Sequence, residues 1–153
     1  MKKQNNKFGK IFWITGYSGA GKTSIADTIK NRIFKTYGNT IVINGDDLRR
    51  IFELNKYSKL ERYKNGIKFV KLLKFLSDQK VNVLFTVVGL KHSLRKYARD
   101  NIPNYIEIFI ESDLNQIIKF GKKKTYKQKK NIVGKDINAE LPKNPDVLIR
   151  NNF

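Results

Sequence analysis

Cysteine is missing from this 153-residue sequence, so disulfides, thiolate nucleophiles and cysteine-ligated metals are all excluded. Acid is scarce: 13 Asp and Glu stand against 32 Lys and Arg, a formal net charge of +19. Histidine occurs once, at His92. No apolar run approaches the length needed to span a membrane. The start, "MKKQNNKFGKIFWITG", is basic and then briefly apolar, and the apolar part runs straight into a glycine-rich loop. It reads as a strand and not as a leader peptide. A cytoplasmic setting with no membrane partner is the simplest expectation. The length and the 40% hydrophobic content suit one domain over residues 1–153.

The charge excess would suit an acidic partner. However, 25 of the 32 basic residues are lysine, and they are scattered along the chain. A general compositional bias accounts for that scatter. A nucleic-acid binder should interleave aromatic and basic residues on an exposed strand face. The strands here read as buried, so no nucleic-acid partner is expected.

What is present begins with "ITGYSGAGKTS", Ile14 to Ser24. It fits the phosphate-loop pattern Gly-x-x-x-x-Gly-Lys-Thr and lies between a strand and a helix. Glycine lets such a loop bend and turn its N–H groups inward, and the next helix adds its N-terminus. Gly16, Ser18, Gly19, Ala20, Gly21, Lys22, Thr23 and Ser24 are therefore expected to bind ATP. Lys22 would reach the outer phosphates and Thr23 would hold Mg²⁺.

Periodicity supplies the frame. "KIFWIT" (10–15), "TIVIN" (40–44), "VNVLFTVV" (81–88), "YIEIFIE" (105–111) and "DVLI" (146–149) read as strands. Helices fall between them. One carries Ile25, Ile29 and Ile33, one begins near Leu48, one spans about 58–78, and "HSLRKYARD" and "DLNQIIKF" are two more. The alternation predicts an α/β fold, a P-loop NTPase-type three-layer sandwich. Its mainly parallel five-stranded sheet is covered by helices on both faces. Ligands of such sheets bind beyond the strands' carboxyl ends. The lysine-rich stretch after Phe120 has no apolar period and reads as a mobile loop, a lid over about 120–142.

The long apolar strand ends "FTVVGLKH" without the acid that often binds Mg²⁺ there. Asp46 and Asp47 follow the second strand instead. Asp46 is the expected catalytic carboxylate and a contact for Mg²⁺ or its waters. Asp47 is the expected helix cap. No Asn-Lys-x-Asp motif occurs, which argues against a transducing GTPase.

An ordered series of segments resembles the adenylylsulfate (APS) kinase family over nearly the whole chain. "GYSGAGKT" is similar to the family's GLSGAGKS-type loop. "NGDDLRR" resembles its DGDxxR segment, and "YSKLERYKN" its FSxxDRxxN segment. "NIVGKDINAELPKNPDV" resembles its closing segment. The resemblance implies transfer of the ATP γ-phosphate to the ribose 3′-hydroxyl of a small anionic nucleotide, with Asp46 and Lys22 catalytic. It implies acceptor contacts from Arg49, Tyr57, Arg62, Asn65, Val88, Gly89, Lys127 and Ile132, with Lys122 and Lys135 further lid lysines. A homodimer is an open expectation.

The pattern departs in four places. Asn44 stands for the first acid of DGD, "VGLKH" replaces I-S-P-Y-R, and Ile132 stands where an aromatic should wall the base. The family's C-terminal helix would follow Phe153. Stacking on a ring contributes about 1–3 kcal/mol per base, so losing one ring weakens the case for a purine. The expected acceptor is cytidine diphosphoramidate, used by relatives of the family in capsular polysaccharide decoration. The alternative is adenylylsulfate. His92 could touch the acceptor, though a solvent-facing helix start is the simpler expectation.

Overall fold

The computed structural model describes residues 7–120, 125–128 and 130–152. The elements are β1 (Ile11–Thr15), α1 (Lys22–Tyr37), β2 (Thr40–Asn44), α2 (Gly45–Ile51), α3 (Lys59–Asp78) and β3 (Asn82–Val87), followed by α4 (His92–Asn101), β4 (Tyr105–Glu111), α5 (Leu114–Phe120), α6 (Thr125–Gln128) and β5 (Val147–Arg150). The strands form one sheet in the order β2-β3-β1-β4-β5. Every neighbouring pair is parallel.

β1 is central, and all five of its residues are buried. The pleat sends Ile11 and Trp13 to one face and Phe12 and Ile14 to the other. Ile11 and Trp13 join Val83 and Phe85 in a core roofed by α3 and α4 through Phe69, Leu73, Leu94 and Ala98. Phe12 and Ile14 join Leu84, Ile108 and Ile110 in a second core, with Ala26 of α1 and Ile117 of α5. Each large side chain fully buried in this way contributes roughly 1.5–3 kcal/mol. The sequence supplies helices for both faces, so the sheet is three layers with its two flanks covered.

Capping fixes the helix limits. Ser58 Oγ accepts the Glu61 N–H at 3.3 Å and starts α3. Gly38, at φ +85°, ends α1, with its N–H on Phe34 O at 2.8 Å. α2 differs from expectation. It begins at Gly45, not near Leu48, and its cap is Asn44, not Asp47. Asn44 has the extended backbone a cap needs, and its Oδ1 accepts the Asp46 N–H at 3.0 Å. Asp47 is already inside the first turn and pairs with Arg50 at 2.9 Å.

The stretch read as a structureless lid is also more ordered than its sequence suggests. It contains α6, a bridge between Val133 and Ile137, and the buried side chains of Tyr126, Ile132 and Val133. Three anchors spaced irregularly among lysines leave no period to read. The expected lid falls partly outside the described residues, and Lys122 falls there with it. Among the described residues, no helix is long and apolar enough to cross a membrane.

Candidate active site

A cleft of about 1140 Å³ opens beyond the carboxyl ends of β1, β2 and β3. At one end lies the phosphate loop. Ala20 N–H closes a turn on Tyr17 O at 3.1 Å, and Gly19 and Gly21 take φ of +87° and +91°. A side chain at Gly21 would also lie 2.9 Å from Asn151 Nδ2. Ser18, Gly19, Gly21, Lys22, Thr23 and Ser24 line the cleft. Gly16 and Ala20 lie buried beneath it, and Ala20 packs into the second core. Lys22 Nζ folds over the loop, donating to Gly16 O at 3.1 Å and Tyr17 O at 2.7 Å.

Two long-range contacts hold this loop that sequence reading missed. Tyr126 of α6 donates its hydroxyl to Ser18 O at 2.8 Å. Asn151, just after β5, donates Nδ2 to Ala20 O at 3.0 Å. Burial, helped by the neighbouring Tyr17, pushes the Tyr126 hydroxyl up to about 12. Neither contact has a local sequence signal, because the partners are more than a hundred residues apart.

The residues that could hold a metal offer oxygen. Thr23 is exposed and its Oγ1 accepts from Asn44 Nδ2 at 3.3 Å. Asp46 is exposed in the same cleft, in the first turn of α2. Among the described residues no cluster of three or more His, Cys, Asp or Glu could cage a metal. A hydroxyl and one carboxylate facing a phosphate loop suit Mg²⁺, which keeps waters and shares phosphates instead of taking an all-protein cage. Asn44 thus does two jobs at a position read only as a departure: it caps α2 and touches Thr23.

At the other end of the cleft, Arg49, Tyr57 and Arg62 form a stack. The guanidinium of Arg49 lies 4.9 Å from the Tyr57 ring centre and that of Arg62 lies 5.3 Å from it. Arg62 also donates to Tyr57 O at 3.0 Å and to Asn131 O at 2.9 Å, tying α3 to the lid. Burial pulls both guanidinium groups below their usual pKa, and for Arg62 the charge of Arg49 adds to it. Arg49 is buried, and its Nη1 has no hydrogen-bond partner. A buried, unpaired cationic donor is costly unless an anion completes it.

Val88, Gly89 and Ile132 line the cleft with this stack. Ile132 is buried, an aliphatic wall. Asn65 is buried within α3 but does not line the cleft, although the next residue, Gly66, does. Lys127 is exposed on α6 away from the lining, and Lys130 lines the cleft instead. Lys135 donates to Tyr126 O at 2.8 Å, a contact inside the lid. His92 is an exposed first residue of α4 outside the cleft.

The comparisons agree with this arrangement. The family described as adenylylsulphate kinase matches residues 8–150. A cytidine diphosphoramidate kinase of Campylobacter jejuni is 34% identical, over 97% of this chain and 89% of its own. A probable adenylyl-sulfate kinase of Archaeoglobus fulgidus is 29% identical, over 91% of this chain and 94% of its own. The Mycobacterium tuberculosis APS kinase CysC, solved with AMPPNP and APS, superposes with a TM-score of 0.85 at 25% identity, covering 94% of this chain and 88% of that one. With a cleft that joins a phosphate loop to a buried arginine stack, and with relatives of this kind along nearly its whole length, the chain belongs to the adenylylsulphate kinase family.

Proposed function

We propose that this chain uses ATP to phosphorylate the ribose 3′-hydroxyl of cytidine diphosphoramidate. The observation that carries the reading is the shared cleft itself. One end offers a phosphate loop. The other offers Arg49 with an unpaired buried Nη1, Arg62, and one aromatic wall, Tyr57. Ile132 adds an aliphatic surface, which suits a small pyrimidine better than a purine held between two rings. The Campylobacter relative carries the same acceptor in its name.

In this reading Asp46 accepts the proton of the 3′-hydroxyl as its oxygen bonds to the γ-phosphorus. The bond from that phosphorus to the bridging oxygen breaks, and its electron pair leaves on ADP. Lys22 steadies the phosphate charge. Thr23 and Asp46 would hold Mg²⁺ or its waters, and the ion when bound neutralises phosphate oxygens. Arg49 and Arg62 grip the acceptor's charged groups. Asn65 lies buried on the same helix as Arg62, and Lys127 approaches with the lid. The lid excludes water, which would otherwise compete as acceptor. One cytoplasmic domain over residues 1–153 completes the proposal, together with a homodimer that mass measurement in solution tests.

The test is ADP release with ATP and Mg²⁺ over two acceptors, cytidine diphosphoramidate and adenylylsulfate. Turnover of the cytidine compound with adenylylsulfate ignored supports the proposal. Efficient turnover of adenylylsulfate alone overturns the acceptor and assigns the chain to sulfate activation, the second reading, which the adenylyl-sulfate kinase relatives favour.

A further inference from the structure

Arg95 lies on α4, outside every motif discussed above and outside the cleft lining. It is 4% exposed, yet its guanidinium reaches two stretches of backbone that form the cleft wall. Nη1 donates to Gly89 O at 3.0 Å, and Nη2 donates to Glu140 O at 2.8 Å. Gly89 belongs to the β3–α4 connection, and Glu140 to the chain returning from the lid. Both residues line the cleft.

The two stretches are also joined directly. Glu140 N–H donates to Leu90 O at 3.0 Å, and the Glu140 carboxylate accepts the His92 N–H. The His92 N–H bond, helped by the charge of Lys91, holds that carboxylate below its usual pKa range. The charge of Arg95 is answered by Glu107 of β4, 3.7 Å away and itself buried, which also accepts the Tyr105 hydroxyl at 2.9 Å. Nη2 meets His92 Nδ1 at 2.8 Å as well. The platform beneath is tight: a Cβ on Gly66 of α3 would lie 2.5 Å from Leu94 Cδ2.

A buried ion pair is weak support for stability in general. What this one provides is geometry. The planar fork sets the spacing between two carbonyls that no secondary structure fixes. The Glu140 side of this wall faces α3, the helix that carries Arg62: Lys91 Nζ lies 3.9 Å from the Glu140 carboxylate and 5.7 Å from the Tyr63 ring centre. We propose that Arg95 is a positioning residue for the acceptor: it fixes the wall that Gly89 and Glu140 present, without touching the nucleotide. This rests on the acceptor occupying the end of the cleft with Arg49 and Tyr57.

Arg95→Lys and Arg95→Met separate the roles. Lysine keeps a charge facing Glu107 but loses the fork; methionine loses both. Acceptor KM should rise on the order of tenfold or more in both variants, while ATP KM stays within about twofold. The acceptor is whichever of the two nucleotides the unaltered protein turns over. Amide hydrogen exchange should quicken at Gly89–His92 and Ala139–Leu141 in Arg95→Lys, and stay unchanged in the phosphate loop. A lysine variant with unaltered acceptor KM and exchange would show that charge alone suffices and would overturn the proposal. Loosening throughout the chain, with both KM values moved together, would overturn it too, leaving Arg95 a general stabiliser. If the unaltered protein turns over neither nucleotide, the reading of the reaction fails, and hydrogen exchange alone still decides on the brace.

Discussion

Two carboxylates line the cleft among the described residues, Asp46 and Glu140. Glu140 is occupied by the His92 N–H and lies 3.9 Å from Lys91 Nζ, so its oxygens are committed to holding the wall. Asp46 is exposed and stands on the same helix as Arg49, between the phosphate loop and the arginine stack. In the proposed reaction, that leaves Asp46 as the group to take a proton. Asp46→Ala should therefore lower kcat by roughly 10²–10⁴-fold while calorimetry still shows ATP binding. Turnover close to that of the unaltered protein would remove Asp46 from the chemistry. Arg62 has a different task in the proposed reaction, because it ties α3 to Asn131 beside the proposed acceptor end. Arg62→Ala should raise acceptor KM more than ATP KM, by about 1.5–3 kcal/mol for a charged hydrogen bond. An equal rise in both would place Arg62 outside the acceptor site.

Elements were legible wherever one face of a strand or helix must be buried. The pattern marks β2 and β4 to their observed limits and places α1 by its isoleucine stripe, because an apolar stripe and a flanking glycine or polar residue act on neighbours in sequence. The start of α2 was not legible, since "NGDD" offers three side chains able to cap and only the backbone shows which one is extended. α6 was hidden for another reason. Its anchor, Tyr126, is paired with Ser18, and nothing in a lysine-rich run announces a partner at that distance. The cap makes a prediction of its own. Asn44→Ala should cost about 0.5–2 kcal/mol, or a few degrees in melting temperature at roughly 2–4 °C per kcal/mol. Asn44→Asp keeps an acceptor for the Asp46 N–H and should melt close to the unaltered protein. Equal losses in both variants would mean that the bond to Thr23, and not the cap, is what Asn44 supplies.

Across the whole molecule, the two cores meet at β1, and the cleft lies over their junction. Charge of +19 gave no guide to it, because lysines are spread over the surface, while the guanidinium groups that matter are few and sheltered. The phosphate loop could be read from eight residues in a row. The proposed acceptor end rests on resemblance, and the contacts of Arg95 and Glu140 that brace it span 45 residues. The same long-range burial governs how the fold responds to alkali. Burial raises Tyr105 above the ordinary tyrosine range, with Glu107 adding to it, and raises Tyr126 to about 12. In the unfolded chain both ionise near pH 10. Their contribution is therefore complete below about pH 10 and is lost as pH rises toward the folded values, because the unfolded state releases its protons first. Urea unfolding at pH 8, 9.5 and 11 should show stability falling steeply at the last step. Tyr126→Phe should begin lower at pH 8, having lost the bond to Ser18 O, and should then fall less steeply. Parallel slopes for the two proteins would show that the clasp between α6 and the phosphate loop does not hold its proton, and that the lid is already released from Ser18 in solution.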